Sequence, residues 1–213
     1  MRQASPAASR ERPSISPPPR RPSGGAFVFN RLKRFIETAQ AQQIAMLQLL
    51  PLLPFVGLLL VAAFTDLTTM QIPNWVSIAL AALFPLAAFA AGMPLNEIGF
   101  HFLFGAVVLV IGFALFQFNI VGGGDAKLIA AAAVWTGLTA FAPFAVWTAI
   151  TGGLIAVALL VIRKFYRQAD TRPAFVNRLL MPRGGVPYGV AIMTGGLMVL
   201  GALPFTTSAL TLP

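Results

Sequence analysis

The sequence predicts an all-α integral membrane protein. The expected architecture is a bundle of six transmembrane helices with a Gly-x-Gly-Asp (GxGD) segment opening the fourth. Two observations lead there. Hydrophobic residues make up 57% of the 213-residue chain and charged residues only 10%, more apolar sequence than a soluble domain of this length needs. Apolar runs of about 18 residues or more recur along the chain, and a ~30 Å hydrocarbon core takes ~20 helical residues to cross.

Taken in order, residues 1–25 ("ASPAASRERPSISPPPRRPSGG" and its flanks) are rich in Pro, Ser, Ala and Arg and cannot build a core, so disorder is expected. Residues 26–45 suit a short amphipathic helix at the membrane surface. The tail makes a poor secretory signal, because it starts with a long Pro-rich stretch and not a short basic one. Met46 opens the first strong apolar run, so translation from Met46 is an alternative start. The expected domains are thus a basic tail, 1–45, and a membrane domain, 46–213.

The six spans fall at 46–64, 75–91, 99–118, 126–142, 144–162 and 186–205. As one straight helix, 126–162 would be about 55 Å long at ~1.5 Å per residue, too long for a bilayer. A fold-back at "GLTAFAP", Gly137 to Pro143, is expected instead. Ala130 to Ala133, Gly152, Gly153, Gly195 and Gly196 either let helices pack closely or are filler.

Parity then assigns faces. With six spans, the loops after the first, third and fifth share one side. Asp66 ends the first span, and Asp125 stands where the third hands over to the fourth. The loop 163–185 joins them with six basic residues, and Lys127 makes seven on that face. On the opposite face only Arg31, Lys33 and Arg34 lie close enough to the first span to influence orientation. Positive charge favours the cytoplasmic side, so the aspartate face is expected there. The net charge of +9 comes largely from the tail and is not read as a nucleic-acid footprint.

An aspartate beside an apolar span is costly, about 2.5–3.5 kcal/mol at a helix centre and less towards the ends. One reading makes Asp66 and Asp125 interfacial residues at helix ends. The other makes them a working pair: of two adjacent carboxyl groups, one keeps its proton as general acid while the other activates water. Asp125 follows Gly122, Gly123 and Gly124 in "NIVGGGDAKL". Those glycines permit close approach of another chain and expose backbone N–H groups, and the helix dipole favours an acid there. A flexible hinge with a capping Asp is the blander alternative. Lys127 is two residues on and faces away from Asp125, towards lipid phosphates or substrate. Pro73 and Asn74 close the loop after Asp66, Asn74 as an expected N-cap.

Three segments carry a resemblance. "GGGDAKL" resembles the GxGD motif of membrane aspartic proteases, with the Asp-x-Lys-Leu extension typical of type IV prepilin peptidases. "FTDLTTMQIPN" is similar to that family's first-aspartate segment, and "GGVPYGVAI", residues 184–192, to the motif opening its last helix. Together they cover the chain from about Met46 to its end. The resemblance implies an inner-membrane endopeptidase that removes the basic leader of prepilins at the cytoplasmic face, just before their hydrophobic segment. It implies Asp66 and Asp125 as catalytic residues, roles in pilus assembly and protein secretion, a prepilin precursor as partner, and neither cofactor nor metal. Compact members serving tight-adherence (Flp-type) pili look closest. Larger members carry a Cys-containing insertion and N-methylate the product. This chain has no Cys and no room for that insertion. It also lacks the basic residues often found after the first aspartate, so loop 163–185 is expected to supply those contacts.

No HExxH, Walker A or GxSxG pattern occurs, and "GGGDAK" lacks the ending of a phosphate loop. His101, the only histidine, precedes Asp125 by 24 residues, about 36 Å along a helix, and is expected at the wrong face. Two other functions fit the composition. A small transporter or proton pathway would distribute acids through the membrane depth. A non-catalytic assembly subunit would tolerate Asn at either Asp.

Overall fold

The computed structural model describes residues 29, 31–40, 50–165, 173–181 and 184–204. The expectations for the tail up to residue 28, the start at Met46 and the tip of the basic loop lie outside these residues. Among the described residues every regular element is helical.

Residues 1–42 and 43–213 form two separate compact units. The first contains a helix over 31–40, with Lys33 and Glu37 paired one turn apart at 3.9 Å. Phe29, Leu32, Phe35 and Ile36 are exposed there.

The second unit opens with a 3₁₀ turn, Leu50–Leu52, leading into α1, Leu53–Thr69. Pro51 and Pro54 stand at this start, where a missing N–H costs nothing. Met70, in the left-handed region at φ 56°, ends α1 by donating its N–H to the Asp66 carbonyl. The hydroxyls of Thr65, Thr68 and Thr69 bond back to carbonyls one turn earlier, which satisfies them without water. Then come α2, Asn74–Ala90, and α3, Leu95–Gln117, followed by α4, Gly123–Phe165, the short α5, Ala174–Leu179, and α6, Tyr188–Met198.

Among the described residues three stretches are long and apolar enough to cross a membrane: Leu50–Thr69, Leu95–Gln117 and Gly123–Phe165. Side chains such as Phe100, Leu103, Val110 and Phe113 on α3 are exposed. In lipid this is solvation and not a defect, so close packing must hold the bundle instead. Gly196 of α6 rests on Leu59 and Phe55 of α1, Gly195 on Thr148, and Gly152 on the Tyr188 ring. Gly153 meets nothing within 4 Å, so the filler reading holds for that position alone among these four glycines.

The two halves of α4 run in opposite directions. Lys127 is level with Asn74, and Trp135 is level with Leu80 and Phe55. Phe144 and Thr148 then meet Gly195, and Gly152 returns to Tyr188 beside Asp66. The turning point is Gly137, at φ 59° and ψ −171°, conformations closed to residues with a Cβ. Pro143 stays inside the returning helix, so the break lies at the first residue of the expected Gly137–Pro143 window. His101 seals it. Its Nδ1 donates to the Val134 carbonyl at 2.7 Å, three residues before the break. The ring stacks on Phe84 at 5.0 Å.

Trp135 is the centre of the core, fully buried against Phe55 and Phe84, with its indole N–H on the Leu80 carbonyl at 2.7 Å. The last helix is shorter than hydropathy suggests. It ends at Met198, and a 3₁₀ turn, Leu200–Ala202, carries the chain on towards Pro204.

Candidate active site

The first turn of α4 is built as an N-terminal cap around Asp125. Gly122 precedes the helix, and Asp125 is its third residue. From there its carboxylate reaches back to the Gly122 N–H, the reciprocal half of a capping box. A Cβ on Gly122 would sit 2.7 Å from Asp125 Oδ2, so only glycine leaves the carboxylate in place. Gly123 packs on the Phe116 ring and Gly124 on Ile72, which brings the loop after α1 against the start of α4.

Asp66 comes from the other side. It lies on the last turn of α1, only 6% exposed. The Gly189 N–H, at the start of α6, donates to its Oδ2 at 2.6 Å. Gly189 must be this bare, since a Cβ there would lie 2.9 Å from Asp66 Cβ and 3.1 Å from the Ala62 carbonyl.

Both carboxylates line one cavity of about 550 Å³, close enough to interact electrostatically. Gly122, Gly123, Gly124, Asn74, Gly185 and Tyr188 are also on its wall, with Met70, Gln71 and Ile72 from the intervening loop. Among the described residues neither aspartate has an ion-pair partner. Two neighbouring carboxyl groups without a cation are electrostatically unfavourable, and no packing role requires the arrangement.

The remaining expected site residues divide. Pro73 sits outside the wall and precedes α2, its carbonyl accepting the Val76 N–H. Asn74 does not act as the N-cap. Pro73 holds that position without a side-chain bond, and Asn74 Oδ1 instead accepts a hydrogen bond from Lys127 Nζ at 3.0 Å. Lys127 thus points across to α2 and lines a different cavity. His101, beside Gly137, is some 18 Å along α4 from Asp125 and takes no part in the cavity.

Gly189 carries no spacing signal of its own. A glycine straight after Pro-Tyr at a helix start, with its N–H free, is the clue "GGVPYG" offers. The loop leading to it is braced by Arg163, whose Nε donates to the Leu179 carbonyl at 2.7 Å and whose guanidinium also reaches the Gly185 carbonyl at 2.8 Å. Arg178 reaches the Thr68 carbonyl at 3.4 Å. These two cations of the basic loop therefore shape the cavity mouth. Arg167, Arg172 and Arg183 lie outside the described residues.

Residues 53–157 match the family described as the type IV leader peptidase family, a match that supports a prepilin peptidase. Its activity in general terms is that of a prepilin leader peptidase. No curated protein and no solved structure matches the chain significantly.

Proposed function

We propose that the protein is a six-span aspartic endopeptidase of the bacterial inner membrane. It cleaves the basic leader from Flp-like prepilins at the cytoplasmic face, with Asp66 and Asp125 as the catalytic pair. The Gly-Gly-Gly-Asp segment opens the fourth span, and the break at Gly137 separates the fourth from the fifth. Membrane domain 46–213 holds the whole machinery. One observation carries the reading: carboxylates 59 positions apart in sequence line the same cavity, each accepting a glycine N–H.

The chemistry follows from two carboxyl groups and one water. The ionised carboxylate takes a proton from water as its oxygen attacks the scissile carbonyl. The protonated partner gives its proton to the carbonyl oxygen. The tetrahedral diol then collapses, the C–N bond breaks, and the leaving amine takes up a proton from the pair. The bare backbone at Gly122 to Gly124 leaves room for an extended substrate beside Asp125.

Co-expression with a candidate precursor, followed by an immunoblot for the shortened product, tests this. Asp66→Asn and Asp125→Asn should each lower the cleavage rate by a factor on the order of 10²–10⁴ while the protein stays in the membrane. Processing that survives either change sinks the pair assignment.

A further inference from the structure

A second cavity of about 530 Å³ lies beside the first, between α2, α3 and the outgoing half of α4. Its walls are apolar and many are small: Ala81, Ala106, Ala130 and Ala131, with Ile78 and Leu109 at the lips. The cavities meet at Asn74, which lines both. At this junction the Lys127 to Asn74 hydrogen bond forms a polar rim to an otherwise apolar groove.

We infer that this groove seats the apolar helix of the substrate while the bond to be cut occupies the aspartate cavity. The inference rests on the peptidase reading of the preceding section. A chain held extended between the aspartates must leave the cavity without exposing unpaired backbone to hydrocarbon, which a helix achieves on its own. The groove is the adjoining exit, and its small residues let a helix backbone approach closely. One further feature points to an occupant. Ser77 on the groove wall is 8% exposed, and its hydroxyl has no hydrogen-bond partner. An unpaired buried hydroxyl is costly, and a polar atom of a docked helix would relieve it.

Two experiments on the full chain in liposomes decide the matter. A benzophenone amino acid at Ile78 should cross-link to the precursor on illumination. The same probe at Leu154, 66% exposed on the returning half of α4 and away from the groove, should not. Ala106→Trp should fill the groove. The KM for the full precursor should then rise about tenfold more than that for a peptide spanning the junction without the apolar segment, with kcat little changed. Equal changes for both substrates, or cross-links at Ile78 to lipid alone, overturn the inference. Wild-type protein that cuts neither substrate overturns the peptidase reading beneath it.

Discussion

The outgoing half of α4 has a glycine at each end, and the two ends use it differently. At one end Gly122 gives its N–H to Asp125, and Gly189 serves Asp66 in the same way. At the other, Gly137 breaks the helix and His101 donates to the Val134 carbonyl. Both ends pair backbone at or near a glycine with a titratable side chain. Yet the histidine end is closed, with the ring stacked on Phe84 and in contact with Gly137. The aspartate end opens into about 550 Å³ and keeps two carboxyl groups together. A polar group whose needs its neighbours fully meet is structural. One left with spare acceptors beside empty space is available for chemistry.

The sharpest break of this contrast is at Gly189. Alanine there would meet Asp66 Cβ at 2.9 Å and its Oδ2 at 3.1 Å, so the carboxylate must move. Misplacement on the scale of 1 Å costs roughly 10²-fold in rate. Gly189→Ala should therefore cut kcat by about that factor with only a small change in melting temperature in detergent. A variant that melts early but cleaves normally per folded molecule would make Gly189 a packing residue like Gly195.

Gly137→Ala should show the converse. At φ 59° and ψ −171° the backbone is open essentially to glycine alone, and the new Cβ would collide with the imidazole of His101. A loss of about 1–3 kcal/mol is expected, read as a lowered melting temperature. The kcat of the surviving folded fraction should be preserved. If cleavage is lost without a change in stability, the hinge takes part in the reaction and the two ends are not separable.

The same contrast explains what was legible in the sequence. That Asp66 and Asp125 come together is legible because span parity depends only on apolar runs, and the two line one cavity. The fold-back is legible because a largely apolar stretch of 37 residues, 126–162, cannot run straight through a membrane as one helix. Gly189 was not, because the group that matters is a backbone N–H, which every residue but proline carries. Asn74 was misread as a cap because its true partner, Lys127, lies 53 positions away and depends on helix rotation. The end of α6 was overextended because Leu200 and Ala202 are as apolar as the helix before them, and hydropathy does not sense a 3₁₀ turn. The groove left no trace either, since an alanine facing a cavity and an alanine facing a helix read alike.

His101→Phe is the mildest test and the most discriminating one. Phenylalanine keeps a ring on Phe84 but removes the donor to the Val134 carbonyl. Its acceptor sits at a helix break and the site is only partly buried, so the loss belongs at the low end of the range for an unpaired carbonyl, about 1 kcal/mol. The pH dependence of cleavage decides between roles. A histidine passing protons to the aspartates would leave its mark on the pH profile of the rate, and the profile of the variant would depart from that of wild type. With Nδ1 committed to a carbonyl and some 18 Å of helix between the ring and Asp125, the profile should instead overlay that of wild type. Overlaid profiles with a slightly lower melting temperature would mark the histidine end as scaffold, leaving the two carboxylates alone to account for any ionisation seen in the rate.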